Sequence, residues 1–276
     1  MKIYIPGKLS EDEALKRTTH LTIAAHEDDI ELMSLAVIGE CYADKDKFFS
    51  GAVVTDGASS PRNGKFAGVT NEEMVVLREE EQKKAAKIGK YSALALLGYS
   101  SGDVKTGKRA EVEGDIEKLL TMCSPEKVFT HNPADAHETH VATFCRTVGA
   151  IRALPADKRP SELWGCEVWR SLDWLPSEYK SIVDSENGVG ISKQILDVFK
   201  SQIAGGKDYR LAFVGRQKEN ATFTESHACD EHKYASLMLD MTSLIKDDGI
   251  DVAEYIGEII EKFKSETKAK IEAFTK

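Results

Sequence analysis

The stretch Ala24-Ala25-His26-Glu27-Asp28-Asp29 decides how the rest of the chain is organised. It lies where the apolar run 21–25 ends and the amphipathic run 30–38 begins, so it joins a predicted strand to a predicted helix. At such a junction the backbone N–H groups are unpaired and the side chains face the carboxyl edge of a sheet. The stretch therefore places one histidine and two aspartates where a protein can carry out chemistry.

The ionisable residues of this junction suit a metal site with a base beside it. His26 and Asp29 offer one imidazole nitrogen and one carboxylate oxygen, which fit a borderline ion such as zinc. Asp28 stays free, and a carboxylate next to such a site can act as the general base of metal-assisted hydrolysis. In the alternative interpretation, Asp28 and Asp29 only cap the following helix and favour its dipole.

The second informative stretch, 130–140, contains three of the seven histidines of the chain. His137 and His140 are three residues apart at a predicted helix start, so they share one face of that helix. We expect His140 to be the third metal ligand, with one coordination position left for water. Because a catalytic zinc usually takes three protein ligands, His131 is expected to orient a neighbour by hydrogen bonding instead of binding the ion.

Apolar and amphipathic runs alternate along the chain. Short apolar runs at 48–55, 91–98 and 127–130 follow the first strand, and helical patterns at 71–88 and 111–122 lie between them. This alternation predicts an α/β fold, with a Rossmann-like, mostly parallel sheet, helices on both faces and the active site at the carboxyl ends of the strands. A dinucleotide-binding domain is not expected, because no G-x-G-x-x-G follows the first strand.

Composition excludes several classes of function. The 276 residues are 41% hydrophobic, which is enough for the core of one domain spanning 1–276. A net charge of −9 without a basic stripe argues against a nucleic-acid partner. No apolar run has the length of a signal peptide or a transmembrane segment, so we expect a cytoplasmic protein without a membrane partner. Five cysteines without a C-x-x-C pair are expected to be free thiols, several of them buried.

The second half of the chain is less informative. The run 164–170 alternates like a strand, and its Trp169, together with Trp174, is expected in the core, with stacking on a sugar as the alternative. The segment 227–232 is expected to be a solvated loop, or else a loop that closes over the pocket or reaches a neighbouring subunit. The apolar stripe of a long predicted helix, 251–274, either packs on the core or forms a contact in a homo-oligomer.

The two stretches together resemble the LmbE-like or PIG-L family of zinc-dependent N-acetylglucosaminyl deacetylases. The first family motif, Ala-His-Pro-Asp-Asp-Glu, is matched from Ala25 onward, with Glu27 in place of the proline and Ile30 in place of the glutamate. The second motif is matched by a set of four residues, namely His131, Asp135, His137 and His140. The resemblance covers about the first 170 residues, so we expect a core of about 18–170 and a C-terminal subregion of 171–276.

The resemblance implies roles for individual residues. It implies that zinc is held by His26, Asp29 and His140 and that Asp28 is the general base. His137 would polarise the substrate carbonyl and stabilise the oxyanion. Asp135, like His131, would lie behind the metal ligands.

Weaker matches imply that Arg78 and Asp103 contact a sugar. On its own helix, however, Arg78 is more typical of a surface ion-pairing residue.

The resemblance also implies an activity and a partner. The expected reaction is removal of an acetyl group from a small N-acetylated sugar of the GlcNAc type, or from its glycoconjugate. Two alternatives stay open: a zinc amidase that cuts another C–N amide bond, and a catalytically silent protein that binds metal and sugar. The free carboxylate of Asp28 favours an enzyme, whereas Glu27, which brings another carboxylate within reach of the pocket, suggests a remodelled site.

Overall fold

The computed structural model describes residues 1–224, 226–227 and 229–275. The eight strands in this part of the chain form one sheet in the order β1-β4-β3-β2-β5-β6-β8-β7. Their bounds are β1 Lys2–Tyr4, β2 His20–Ala24, β3 Phe49–Thr55, β4 Leu94–Tyr99, β5 Lys127–His131, β6 Glu162–Cys166, β7 Ser181–Asp184 and β8 Ala235–Asp240.

The five central strands of the sheet, β4-β3-β2-β5-β6, run parallel. The outer pairings are antiparallel: β1 pairs in this way with β4 on one side, and β8 pairs in this way with both β6 and β7 on the other. Every residue of β2 and β3 is buried, as expected of parallel strands that are covered on both faces. The predicted α/β class and the mostly parallel sheet are therefore confirmed.

Eleven α-helices lie in the described part of the chain. Their bounds are α1 Glu11–Lys16, α2 Asp29–Met33, α3 Leu35–Ala43, α4 Asn71–Ile88, α5 Arg109–Cys123, α6 Glu138–Ala153, α7 Glu186–Leu196, α8 Lys200–Ala204, α9 Tyr209–Phe223, α10 Ser243–Lys246 and α11 Val252–Thr275. The run 30–38, predicted as one helix, is interrupted at Ser34, whose side chain accepts a hydrogen bond from the Thr22 hydroxyl in β2 at 2.9 Å.

Two apolar cores sandwich the sheet. One core joins it to α1, α5, α6, α10 and α11, and the other joins it to α2, α3, α4, α7 and α9. On the second face, α3 and α7 approach very closely, because a Cβ added to Gly39 would lie 2.2 Å from the backbone nitrogen of Gly188. The five cysteines are free, and Cys123 and Cys166 are buried, as predicted.

The order of the parallel strands creates a crevice between β2 and β5. From β2 the chain continues to β3 and β4 on one side, whereas β5 is followed by β6 on the other side. Ligand sites of open α/β sheets form where the strand order reverses in this way. The stretch 26–29 follows β2 and His131 ends β5, so both informative stretches meet at this crevice.

The C-terminal elements extend the same sheet through β8 and β7. The predicted division into a core of about 18–170 and a subregion of 171–276 stays a prediction. Among the helices of the described residues, none has the length and the apolar composition needed to cross a bilayer.

Candidate active site

The turn after β2 holds Asp28 in an unusual backbone conformation. Its φ of 89° lies in the left-handed region, which costs a non-glycine residue roughly 1–3 kcal/mol. The backbone N–H of Asp28 donates to Oε1 of Gln82 in α4 at 3.0 Å, which helps to fix this conformation. The side chain of Asp28 makes no capping hydrogen bond to α2. The interpretation of Asp28 as a simple helix cap is therefore wrong.

Three potential ligand atoms meet at the bottom of the crevice. Nδ1 of His26 lies 3.0 Å from Oδ2 of Asp29 and 3.2 Å from Nε2 of His140, and Nε2 of His140 lies 3.1 Å from Oδ2 of Asp29. Three donors bound at about 2.0–2.1 Å around one tetrahedral ion would be separated by about 3.3 Å. The set of two nitrogens and one oxygen thus fits a metal ion in both chemistry and spacing.

Within the group of three candidate ligands, the charges of His140 and Asp29 stabilise each other. Burial lowers the pKa of His140, but the carboxylates of Asp29 and Asp135 outweigh burial and raise this pKa to about 9. Burial acts to raise the pKa of Asp29, yet the charge and hydrogen bond of His140, together with His26, hold it well below its usual value. A bound cation can take over the role of the proton on His140, because metal binding to imidazole releases that proton.

Asp135 lies directly behind the candidate ligand His140. Its Oδ1 is 3.4 Å from Nδ1 of His140 and also accepts a hydrogen bond from the backbone N–H of His137 at 2.9 Å. Its Oδ2 accepts from the backbone N–H of Trp169 at 3.1 Å. A carboxylate behind a metal-binding imidazole fixes the orientation of the ring and raises its basicity.

His131 lies behind the ligands as well. Its Nε2 accepts a hydrogen bond from the backbone N–H of Ala25 at 2.8 Å, which occupies the lone pair that a metal would need. Its ring stacks on that of His140 at 3.9 Å between centroids. Burial, and then the charge of His140, lower the pKa of His131 well below its usual value, so the ring is neutral. The hydrogen bond from Ala25 to His131 thus connects β5 to the turn after β2.

His137 is the N-cap residue of α6 and faces the three ligand atoms. Its Nδ1 accepts from the backbone N–H of Thr139 at 3.2 Å, so in the neutral ring the proton is assigned to Nε2. Its ring lies 4.9 Å from that of His26 and 4.6 Å from that of His140, between centroids. Burial, followed by the charges of His140 and His26, lowers the pKa of His137. The ring therefore presents an N–H donor near the ligand group.

Arg78 is buried, with only 1% of its surface exposed, so its interpretation as a surface residue is wrong. Its guanidinium lies 3.5 Å from Asp28, 3.6 Å from Glu27 and 3.7 Å from Glu81, and it also donates to the backbone carbonyl of Glu27. Burial raises the pKa of Asp28 to about 7, although Arg78 opposes this shift. Oδ2 of Asp28 has no hydrogen-bond partner among the described residues.

Glu27 stands in the proline position of the first motif and is 1% exposed. Its carboxylate packs under Gly57, where an added Cβ would lie 2.5 Å from Oε2, and it is not among the cavity-lining residues. Glu27 thus pairs with Arg78 beneath the site and does not offer a charge to a ligand.

A cavity of about 500 Å³ opens above the ligand group. We call its bottom the floor, which consists of His26, Asp28, Asp29 and His137, with His140 directly beneath. We call the part contributed by the second half of the chain the rim, which consists of Trp169, Gln202, Lys207 and Tyr209.

The turn 55–61 and residues Ser101, Lys105 and Thr139 line the remaining walls, as does Arg78. Asp103 is not among the lining residues; it accepts a hydrogen bond from the backbone N–H of Ser100 and pairs with Lys108 at 3.5 Å. Two residues further on, Lys105 takes a place at the wall instead. Asp103 itself therefore does not line the cavity, whereas its sequence neighbours Ser101 and Lys105 do.

Sequence reasoning did not find the rim, apart from the alternative interpretation in which Trp169 stacks on a sugar. Strand β6 ends at Cys166 and not at residue 170, so Trp169 leaves the sheet and is 43% exposed at the cavity, which makes its expected core position wrong. Nζ of Lys207 lies 4.5 Å from the centre of the Trp169 ring. The only sequence signal near Lys207 is the pair Gly205-Gly206, of which Gly206 has a φ of 91° in the turn before α9.

Two other expectations concern the second half of the chain. Trp174 packs against the core and contacts Phe263 edge to face at 6.1 Å, as expected. In the segment 227–232, Ala228 lies outside the described residues. Cys229 and His232 line a separate small cavity of about 60 Å³ beside α9, and neither is among the residues that line the larger cavity.

Fold and site together define a doubly wound α/β protein with a candidate metal centre of two histidines and one aspartate at its switch point. Residues 21–151 match the sequence family described as PIG-L: GlcNAc-PI de-N-acetylase. This match covers just under half of the chain, and it confirms the resemblance stated above for that part.

Comparisons with individual proteins agree with this assignment. The chain is 25% identical over 148 residues to a probable N-acetyl-alpha-D-glucosaminyl L-malate deacetylase 2 of Bacillus anthracis. This alignment covers 53% of the chain and 66% of the Bacillus protein, slightly less than two thirds of its length.

Solved structures share the fold. The N,N'-diacetylchitobiose deacetylase of Pyrococcus horikoshii superposes with a TM-score of 0.64 at 16% identity, over 83% of this chain and 86% of that one. GalB, a 4-carboxy-2-hydroxymuconate hydratase of Pseudomonas putida, reaches 0.59 at 16% identity, over 81% of this chain and 96% of that one. Because a hydratase has the same fold as a deacetylase, the reaction has to be argued from the site itself.

Proposed function

We propose that this protein is a metal-dependent hydrolase that removes the acetyl group from an N-acetyl amino sugar of the GlcNAc type, or from a small conjugate of it. The observation that carries the proposal is the free, buried carboxylate of Asp28 beside three converging ligand atoms. A protein that only binds a metal and a sugar has no need of such a group. The family and the deacetylase relatives support the same reaction.

Zinc is the proposed cofactor, held by His26, Asp29 and His140. Two imidazole nitrogens and one carboxylate oxygen are a common ligand set of catalytic zinc, and this set leaves a coordination position open. When bound, zinc would supply a lowered water pKa of about 7 and polarisation of the acetamide carbonyl. Asp135 and His131 would hold the ligand His140 from behind, through an ionic contact and ring stacking respectively.

Asp28 is the proposed general base. Asp28 lines the cavity, and its unpaired Oδ2 can accept a proton from the attacking water. Burial favours uptake of a proton, while Arg78 at 3.5 Å keeps the carboxylate in place and limits this effect. The strained backbone of Asp28 fits this role, since residues held in sparsely populated conformations cluster at active sites.

His137 is the proposed oxyanion donor. Its Nε2–H can donate to the carbonyl oxygen of the acetamide as negative charge develops there, while Thr139 and Asp135 fix the ring and the backbone of His137. After the C–N bond breaks, the proton accepted by Asp28 is available to the leaving amine. Acetate and the free amino sugar are the products.

The rim is proposed to contact the sugar or its aglycone. Trp169 offers an aromatic face of the kind that packs on sugar rings, and Lys207 and Tyr209 offer polar groups beside it. Arg78 lies deeper, and its main proposed role is to hold Asp28 rather than to contact a sugar.

The test is acetate release from N-acetylglucosamine and simple conjugates of it, with metal content measured in parallel. Wild type is compared with Asp28→Asn and with Asp44→Asn, a matched control in the loop at the opposite edge of the sheet, between α3 and β3. We expect stoichiometric zinc in all three proteins and acetate from wild type and the control alone. Zinc-loaded wild type that releases acetate from no N-acetyl sugar would overturn the proposed reaction, and a wild type without metal would overturn the site.

A further inference from the structure

Two buried polar side chains at the cavity have no part in the mechanism proposed above. Gln202 in α8 is 5% exposed and Thr55, the last residue of β3, is 2% exposed, and both line the cavity. Nε2 of Gln202 and Oγ1 of Thr55 have no hydrogen-bond partner among the described residues. Because buried polar groups in folded proteins are nearly always hydrogen-bonded, two such groups at one cavity indicate a ligand that supplies the missing partners.

The backbone around Gln202 is held in place on both sides. Ser201 donates through its backbone N–H and its hydroxyl to the carboxylate of Glu81 in α4, at 2.8 and 2.6 Å. The backbone carbonyl of Gln202 accepts from the backbone N–H of Lys207 at 2.9 Å. The amide of Gln202 is therefore carried by a fixed segment, and a preorganised donor loses less entropy when a ligand binds.

The segment that carries Gln202 packs against the turn that begins at Thr55. A Cβ added to Gly205, the residue directly after α8, would lie only 3.0 Å from Cγ of Pro61 in this turn. Pro61 and Thr55 both line the cavity. Gln202 and Thr55 thus belong to two adjoining segments that form one wall of the cavity.

This wall and His137 lie on different sides of the floor. The backbone N–H of Thr55 donates to the backbone carbonyl of Ala25 at 2.9 Å, so Thr55 directly adjoins the turn after β2. In the sheet, β2 lies between β3, which ends at Thr55, and β5, which precedes His137. A substrate whose acetamide oxygen lies at His137 therefore has the wall of Thr55 and Gln202 on the other side of the floor.

The charges along this wall favour a neutral ligand group. The guanidinium of Arg78 already has three carboxylates within 3.7 Å, so its charge is balanced. A carboxylate or phosphate at this wall would lie beside those three carboxylates. A sugar hydroxyl both donates and accepts hydrogen bonds, as do the amide of Gln202 and the hydroxyl of Thr55. The wall is therefore suited to hydroxyl groups.

We propose that Gln202 and Thr55 are specificity-determining residues, which bind hydroxyl groups of the amino sugar while its acetamide lies on the floor. This inference rests on the proposed function, because the sugar is the substrate argued there. It assigns part of the recognition of the sugar to Gln202, which lies outside the family match of 21–151. A site that binds a hydroxyl group in this way rejects an analogue that lacks it, because the buried groups of the site are then left unpaired.

The experiment measures kcat and KM for acetate release from N-acetylglucosamine and from the series of its monodeoxy analogues. Gln202→Met and Thr55→Val keep the approximate size of each side chain and remove its hydrogen-bonding group. The matched control is Gln217→Met, which changes another buried glutamine, in α9, that does not line the cavity. Metal content after dialysis, measured for every variant, shows that the floor is intact.

We expect Gln202→Met to raise KM for N-acetylglucosamine about 10-fold with little change in kcat, as is typical of one lost hydrogen bond. For the monodeoxy analogue that lacks the hydroxyl group bound by Gln202, wild type and Gln202→Met should have the same kcat/KM. Thr55→Val should show the same pattern, with its own insensitive analogue. The control should behave like wild type on every substrate.

Three results would overturn the proposal. The first is a wild type with equal kcat/KM for all monodeoxy analogues and N-acetylglucosamine, which requires no variant. The second is a Gln202→Met variant that equals wild type on N-acetylglucosamine, and the third is one that loses the same factor on every analogue, which would indicate a structural role. In all three cases wild type still releases acetate, so the proposed reaction stands. A zinc-loaded wild type that releases acetate from no N-acetyl sugar would instead overturn the reaction, and this subsite with it.

Discussion

The floor and the rim of the cavity are built by different parts of the chain and in different ways. The floor comes from the turn after β2 and the segment after β5, where Asp28, Asp29 and His140 are buried. The rim comes from the loop after β6, where Trp169 is 43% exposed, and from α8, the start of α9 and the turn between these two helices.

The two regions also differ in how firmly their side chains are held. On the floor, Oδ2 of Asp29 is in contact with the backbone N–H of His26 and with two imidazoles, and both oxygens of Asp135 accept hydrogen bonds. On the rim, Lys207 lies over the Trp169 ring, a contact that costs little to rearrange. We infer that the floor determines the reaction and that the rim determines which substrates are accepted.

The largest effect is expected at the floor, at the proposed ligand His140. His140→Ala removes one of three converging donors and leaves Asp29 without its charged neighbour, so both metal binding and activity should be lost. This loss should exceed the loss of about 10–100-fold in metal affinity or activity that is typical when a residue behind a metal ligand is removed. Metal content after dialysis and acetate release measure the two effects, and a variant that keeps stoichiometric zinc would show that His140 is not a ligand.

The next largest effect is expected at Asp28. Asp28→Asn keeps the size of the side chain and the N–H contact to Gln82 but removes the proton acceptor, so kcat should fall about 10²–10⁴-fold, as is typical of a lost general base. Metal content should not change, because Asp28 is not among the three converging ligands. Comparable kcat values for Asp28→Asn and wild type would assign the base to another group.

A smaller effect is expected from Gln82, which connects the floor to a buried polar group. Its Oε1 accepts from the backbone N–H of Asp28, and its Nε2 donates to Oε1 of Glu31 at 2.8 Å. Gln82→Leu leaves that N–H unpaired and buried, at a cost of about 1–3 kcal/mol. We expect kcat to fall about 10-fold while KM and metal content stay the same.

An exchange variant separates positioning from general stability. In Glu31→Gln combined with Gln82→Glu, the new carboxylate can accept from both the Asp28 N–H and the new amide. The second N–H of that amide can donate to the Tyr91 hydroxyl oxygen, in place of the hydrogen bond that Tyr91 donates to Glu31. We expect this pair to recover most of the kcat that Gln82→Leu loses. If Gln82→Leu lowers the melting temperature but leaves kcat unchanged, the contact serves folding alone.

The contrast between floor and rim also explains what could be predicted from the sequence. The floor was predictable because its chemical groups are close together in the chain, at 26–29 and 131–140, and each set follows a strand of a recognisable α/β pattern. The helices 71–88 and 111–122 were predictable from their apolar spacing and agree with α4 and α5 within two residues.

The rim was not predictable because tertiary packing alone brings it to the cavity. Glu81 in α4 accepts hydrogen bonds from the backbone N–H and the hydroxyl of Ser201, at 2.8 and 2.6 Å, across 120 residues of sequence. This contact holds α8 against α4 and so brings Gln202 to the cavity. No local sequence pattern predicts this contact. The same holds for Arg78, whose buried position depends on acidic partners such as Glu27, far away in the sequence.

The smallest effect is expected on the rim, at Trp169. Trp169→Ala removes an aromatic face and the support of Lys207 but leaves the backbone N–H that binds Asp135. We therefore expect KM to rise about 5–10-fold for substrates large enough to reach the rim, in keeping with the roughly 1 kcal/mol of an aromatic or cation contact. For N-acetylglucosamine itself, kcat and KM should change less. A fall in kcat with an unchanged KM, equal for small and large substrates, would mean that Trp169 supports the floor through Asp135. Trp169 would then contribute to the reaction itself and not only to the choice of substrate.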